Sequence, residues 1–229
     1  MQAIRWEMVS DEEEVAVWAC RRILLAADQA IATRGQFRIV LAGGRTPERT
    51  YRLLSEVDTD WRCWQVYFGD ERCLPVGNSQ RNSDMAARVW LDRVDMPTAN
   101  IHVIPAELGP YEAAQQYEAL VRQALPFDLA LLGLGNDGHT ASIFPGAPHL
   151  GESLVQPVLH APKAPSQRVT LSAAALNQCR EILVLVSGQE KRAILKAWQQ
   201  GEPLPISALQ PLGELSVIYD REAAPGSSA

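Results

Sequence analysis

Short runs rich in β-branched and aromatic residues alternate, along nearly the whole chain, with longer stretches whose apolar residues recur every three or four positions. This is the pattern of βα units, so the chain is expected to form an α/β fold: a mainly parallel, twisted sheet flanked by helices, Rossmann-like. Strands are predicted at residues 37–42, 65–68, 101–104, 128–132, 168–171, 182–186 and 216–219, and helices at 11–33, 47–54, 82–93, 111–124 and 189–200. In the last helix Ala193, Ile194, Ala197 and Trp198 make the core-facing stripe. Ser10 and Glu13 fit a capping box at the start of the first. Residues 145–167 hold five prolines and two histidines without clear periodicity and read as a long loop or hairpin, a length often tied to function.

A chain of 229 residues with 47% hydrophobic content has material for one α/β domain and too little for two cores and a linker. The domain is expected over residues 1–221, with the small, polar end at 222–229 frayed. A net charge of −6 and a pI near 5.3 argue against a nucleic-acid partner, which would require clustered Lys and Arg. No apolar stretch reaches the roughly 20 residues needed to span a bilayer. Residues 1–30 also lack the basic, apolar and small-residue order of a signal peptide, so a cytoplasmic protein without a membrane partner is expected. Cys20, Cys63, Cys73 and Cys179 are scattered and suggest reduced thiols, with neither a disulfide frame nor a structural zinc site.

Four segments carry chemistry. In Val40-Leu-Ala-Gly-Gly-Arg-Thr-Pro-Glu48 a strand runs through a double-glycine turn into a helix, with Thr46 suited to the N-cap and Pro47 to the first helical position. Gly43 and Gly44 allow close backbone approach to a ligand, and the N–H groups of the first helical turn attract an anion. Alone, this reads equally well as a tight turn with no ligand. In Val66-Tyr-Phe-Gly-Asp-Glu-Arg-Cys-Leu-Pro75 a strand ends in Asp70, Glu71 and Arg72, where Arg72 either meets a phosphate or carboxylate or joins a local ion pair.

Leu131-Leu-Gly-Leu-Gly-Asn-Asp-Gly-His-Thr-Ala-Ser-Ile-Phe-Pro-Gly146 is the strongest segment: a buried strand empties into glycines and delivers Asp137 and His139 two residues apart. Histidine accepts a proton near neutral pH and a neighbouring carboxylate orients it, which makes a water-activating pair. Ser142 lacks the GxSxG elbow that would expose it as a nucleophile. The fourth segment supplies two cations, Arg168 and Lys191. Lys191 is expected in the first turn of the helix at 189–200, where an unpartnered lysine is mildly unfavourable unless an anion is present.

Together these segments resemble the 6-phosphogluconolactonase family over nearly the whole chain. The matching stretches are Ala42-Gly-Gly-Arg-Thr-Pro47, Asp70-Glu-Arg72, Leu134-Gly-Asn-Asp-Gly-His-Thr-Ala-Ser-Ile-Phe-Pro145, Arg168-Val-Thr170 and Gly188-Gln-Glu-Lys191, in the family's order and approximate spacing. The resemblance implies hydrolysis of a sugar phosphate lactone, the second step of the oxidative pentose phosphate pathway. It implies His139 as the base assisted by Asp137, and a phosphate site from the 43–46 loop with Arg72 and Lys191, Asn82 and Arg168 completing the substrate-binding set. Neither metal nor organic cofactor is expected, and the chain is expected to be a monomer or small homo-oligomer. Two positions depart from the family: Arg45 and Arg81 each stand where serine is usual. Two other readings are a glucosamine-6-phosphate deaminase or isomerase, which would carry a Phe-Asn-Glu sequence where Ile143-Phe-Pro145 stands, and a non-catalytic sugar-phosphate sensor.

Overall fold

The computed structural model describes residues 3–146 and 152–226. In chain order its elements are β1 (Arg5–Val9), α1 (Glu12–Arg34), β2 (Phe37–Leu41), α2 (Arg45–Leu54), β3 (Trp64–Phe68), β4 (Asp70–Arg72), α3 (Asn82–Val89) and β5 (Ile101–His102). There follow α4 (Pro110–Ala124), β6 (Phe127–Gly133), β7 (Val155–Val158), β8 (Arg168–Leu171), α5 (Ala173–Leu176), β9 (Cys179–Val186), α6 (Arg192–Gln199) and β10 (Glu214–Asp220).

Seven strands form one sheet in the order β1-β10-β9-β6-β2-β3-β5, and every pair in it is parallel. Its central strands are apolar on both faces, as a sheet covered on both sides requires: Ile39, Val66, Leu129, Leu131, Leu183 and Val217 are fully buried. From central β2 the chain moves outward through β3 to β5, returns to β6 on the other side of β2, and continues outward to β9 and β10. The order therefore reverses between β2 and β6. In open α/β sheets such a reversal leaves a crevice at the carboxyl ends of the strands.

Two buried tyrosines fix the strand ends beside that crevice. Tyr51 of α2 donates to the Ala42 carbonyl at 2.8 Å and accepts from the Ala42 amide at 3.0 Å, just after β2. Tyr117 of α4 accepts from the Phe68 amide at 2.8 Å at the end of β3. Burial pushes both phenols up, so they remain neutral. Behind them Phe37, Tyr51, Trp61, Trp64 and Trp90 pack with ring centroids between 4.8 and 5.9 Å apart.

Several boundaries differ from those expected. The N-cap of α1 is Asp11, which accepts from the Glu14 amide at 2.9 Å while Glu14 accepts from the Ser10 amide, so the capping pair sits one residue later than Ser10/Glu13. Helix α2 starts at Arg45 with Gly44 as its N-cap, and Thr46 instead directs its hydroxyl to Glu12. The region 189–200 divides into a 3-10 turn (Gln189–Lys191) followed by α6, which rotates the buried face onto Leu195 and Trp198 and leaves Ala193 exposed. Helix α3 likewise ends at Val89 and is continued by a 3-10 turn at Leu91–Arg93.

Strand β1 was not expected; it is a parallel edge strand beside β10 whose RWEMV sequence gives little apolar signal. Within the proline-rich region, β7 pairs antiparallel with β8, and β8 with β4, making a separate three-stranded sheet. Pro157 is tolerated because β7 is its edge strand. Part of that region, 147–151, lies outside the described residues. Within 222–229, the Glu222 carbonyl accepts from Arg192 and Ala223 is fully buried, while 227–229 are not described.

Candidate active site

At the reversal between β2 and β6 lies a cleft of about 500 Å³. Gly43, Gly44, Arg45, Thr46, Arg72, Asn82, His139, Arg168 and Lys191 all line it; Asp137 stands behind His139. The residues come from the loops after β2, β6 and β9, from the start of α3 and from the small sheet, so positions up to 148 apart in sequence (Gly43 to Lys191) share one wall.

The candidate base and its carboxylate are joined directly. His139 Nδ1 is hydrogen-bonded to Asp137 Oδ1, which also accepts from the His139 amide at 3.2 Å. Burial pushes the Asp137 carboxyl up, but the bonds from the His139 ring and amide outweigh it and hold the carboxyl below the ordinary aspartate value. With Nδ1 engaged, Nε2 is the nitrogen left for substrate chemistry. The ring rests on Phe144, centroids 4.7 Å apart, and on Gly135, where a Cβ would come 2.0 Å from Nδ1. Gly135 is thus a seat for the imidazole.

The double glycine also meets a constraint inside the fold. A Cβ on Gly43 would fall 1.9 Å from Asn82 Oδ1, so the missing side chain makes room for the Asn82 amide. Gly44, at φ +113°, turns the chain into α2 without any side-chain cap, which leaves the first-turn N–H groups facing the cleft.

Among the cations, Lys191 has a partner that the sequence did not show: Nζ donates to Asn136 Oδ1 at 2.7 Å, linking the loop after β9 to the loop after β6 that carries His139. Burial lowers its pKa from the usual lysine value, and nearby Lys163 adds like charge. Arg45 pairs with Glu12 at 2.8 Å and is 70% exposed, so the first departure from the family places a solvated ion pair at the rim. Arg72 donates to the Gln80 carbonyl, while its buried Nε has no partner among the described residues. Lys163, from the proline-rich hairpin, also lines the cleft and was missed because nothing local distinguishes it from a surface lysine.

Asp70 and Glu71 are buried and take separate roles, in place of a three-residue ion cluster with Arg72. The Glu71 carboxylate accepts from the Arg72, Asn82 and Ser83 amides and from the Ser83 hydroxyl, at 2.7 to 2.9 Å, and so closes the N-terminus of α3. Burial raises its pKa despite these bonds. Asp70 accepts from Asn82 Nδ2 at 3.0 Å and from Ser142 Oγ at 2.6 Å. Ser142, 1% exposed and committed to Asp70, is not placed as a nucleophile. The second departure, Arg81, is 2% exposed and ion-pairs with Glu107 at 2.8 Å. Among the described residues no three His, Cys, Asp or Glu side chains converge in a way that would hold a metal ion.

A parallel sheet with a histidine–carboxylate pair and an uncapped helix N-terminus in one crevice defines an α/β protein whose site suits an anionic ligand and proton transfer. Residues 10–217 match the family described as glucosamine-6-phosphate isomerases/6-phosphogluconolactonase, and the chain belongs to it. Among its relatives, the 6-phosphogluconolactonase of Synechocystis sp. is 38% identical over 210 residues, covering 85% of this chain and 86% of that protein. The human 6-phosphogluconolactonase is 37% identical over 208 residues, covering 83% and 81%. The crystal structure of 6-phosphogluconolactonase from Thermotoga maritima superposes with a TM-score of 0.89 at 29% identity, covering 96% of this chain and all of the other. No helix among the described residues is long and apolar enough to cross a membrane.

Proposed function

We propose that this chain is a lactone hydrolase that opens 6-phosphoglucono-1,5-lactone to 6-phosphogluconate, with His139 activating water. The observation that carries this reading is the placement of His139, held by Asp137, in the same cleft as the open N-terminus of α2. The helix N–H groups, with Lys191 and Arg72, receive the phosphate. That leaves C1 of the sugar toward His139.

In the reaction Nε2 takes a proton from water as the water oxygen bonds to C1, and Asp137 stabilises the resulting imidazolium. The bond between C1 and the ring oxygen then breaks, and the imidazolium returns its proton to that oxygen, leaving a carboxyl group and a free hydroxyl. Phosphate contacts remote from C1 supply orientation. A strained ester of this kind is opened by a positioned base and charge stabilisation, without a covalent nucleophile.

The test is a coupled assay in which glucose-6-phosphate dehydrogenase generates the lactone in place and its disappearance is followed above the spontaneous rate. The wild-type chain accelerates opening, and His139→Ala lowers kcat by about 100- to 10,000-fold, the usual contribution of a general base. A His139→Ala protein working near the wild-type rate would remove His139 from this role; a wild-type chain without effect would remove the reaction.

A further inference from the structure

Two arginines are almost wholly buried, and their surroundings differ. Arg81, 2% exposed, has the carboxylates of Glu107, Glu71 and Asp84 at 2.8, 3.7 and 3.6 Å. Arg168, 7% exposed and lining the cleft, has no carboxylate within ion-pair distance among the described residues. Its Nε donates to the Pro165 carbonyl at 3.1 Å, Nη2 to the Lys163 carbonyl at 2.9 Å, and Nη1 to Ser142 Oγ at 3.5 Å. Asp70 is reached only through that serine. Directly across the strand pair stands Arg72, a like charge that further disfavours an isolated guanidinium. Burial lowers its pKa from the ordinary arginine value. A buried charge without an ionic partner is costly unless an anion arrives.

The position of Arg168 indicates which anion. Its guanidinium carbon lies 5.7 Å from the centroid of the Phe144 ring, and the same ring carries the His139 imidazole at 4.7 Å. One aromatic side chain therefore packs against both the proposed base and the buried cation. Arg72 instead leans toward the Gln80 carbonyl. Three hydrogen bonds fix the guanidinium before substrate arrives, the preorganisation that makes a donor effective where charge develops.

We propose that Arg168 is the oxyanion-stabilising residue of the lactone reaction, donating to the C1 oxygen that becomes negative as water adds. When the water oxygen bonds to C1, the carbonyl electron pair moves onto that oxygen, where Arg168 stabilises it. It returns to re-form the carbonyl as the ring oxygen leaves with its proton from His139. This inference rests on the proposed lactonase reaction, and it moves Arg168 from general substrate binding to the reacting carbon.

The experiment compares the wild-type chain with Arg168→Lys and Arg168→Ala on 6-phosphoglucono-1,5-lactone and on unphosphorylated glucono-1,5-lactone, subtracting spontaneous opening. Binding of glucitol 6-phosphate, which has a phosphate but no carbonyl at C1, is measured by calorimetry on the same proteins and also reports that the site is folded. Removing one oxyanion donor typically lowers kcat by about 100- to 1,000-fold. The expected result is a loss of that order on both lactones in similar proportion, with glucitol 6-phosphate affinity within about twofold of wild type and partial rescue of Arg168→Ala by added guanidinium. A loss confined to the phosphorylated lactone, or glucitol 6-phosphate binding weakened by more than about tenfold, assigns Arg168 to the phosphate and overturns the proposal. If the wild-type chain opens neither lactone, the reaction itself is wrong, a different outcome from an active enzyme indifferent to Arg168.

Discussion

A histidine serves as a base only while one ring nitrogen presents its lone pair to the substrate, and here the choice of nitrogen is made by Asp137. Its carboxylate engages Nδ1 and the His139 amide together, fixing both the tautomer and the turn that carries the ring. An asparagine at this position could present its own N–H to Nδ1, which would place the imidazole proton on Nε2. Asp137→Asn should therefore reduce kcat to a value between those of the wild type and His139→Ala in the coupled assay. Its effect on stability has a defined sign. The Asp137 carboxyl is held below its ordinary value in the folded protein, so its contribution is complete above the ordinary aspartate value of about 3.9 and is lost as pH falls through the lowered one. Denaturant titrations should find Asp137→Asn less stable than wild type at neutral pH, with the two curves converging in acid below that value. A gap that widened in acid would show that the pair does not stabilise the fold.

At the scale of elements, the cleft wall depends on a helix capped from outside its own sequence. The first-turn amides of α3, Asn82 and Ser83, are satisfied by Glu71, a residue of β4. Glu71→Gln puts an amide NH₂ against these donors, and each buried donor left without an acceptor costs about 1–3 kcal/mol. Urea unfolding should register a loss of that size or more, and substrate KM should rise because Arg72 and Asn82 flank the displaced contact. Unchanged stability would mean that α3 is held by its packing alone. This capping was not legible in the sequence, where Asp70-Glu-Arg72 reads as a ligand cluster and the partner lies eleven positions later. The same limit explains β1, β7 and the shifted start of α6, whose definition comes from neighbours distant in sequence. Strands such as β6 and β9, apolar on both faces, and helix α1, with its acidic first turn and long periodic pattern, were legible because burial and capping write a local signal. The pairing of His139 with Asp137 was legible from the glycines around them at the end of a buried strand, whereas the α2 start was expected two residues later, with Thr46 as its cap. Lys163, the Asn136 link to Lys191 and the buried Asp70–Ser142 bond were not.

At the scale of the whole molecule, the strand-order reversal between β2 and β6 sets the distance over which substrate must stretch. The open N-terminus of α2 follows β2, and the loop carrying His139 follows β6, so the two halves of the proposed site are mounted on adjacent, largely buried strands. A rigid mount of this kind lets binding energy at one end position the reacting centre at the other. Unphosphorylated glucono-1,5-lactone lacks the group proposed to bind at α2 and should lose orientation together with affinity. Its kcat/KM should fall by more than about two orders of magnitude, since one charged hydrogen bond is worth roughly 1.5–3 kcal/mol and the phosphate makes several. Lys191→Ala removes one phosphate contact and should narrow the difference between the two lactones, by slowing the phosphorylated substrate and leaving the other nearly unchanged. The measurement is kcat/KM for both substrates with both proteins at one pH, each corrected for spontaneous opening. Equal efficiency on the two lactones, with Lys191→Ala slowing both alike, would show that the phosphate is not held at the α2 end. Lys191 would then act through Asn136 on the loop that carries His139, the only hydrogen bond its ammonium makes among the described residues.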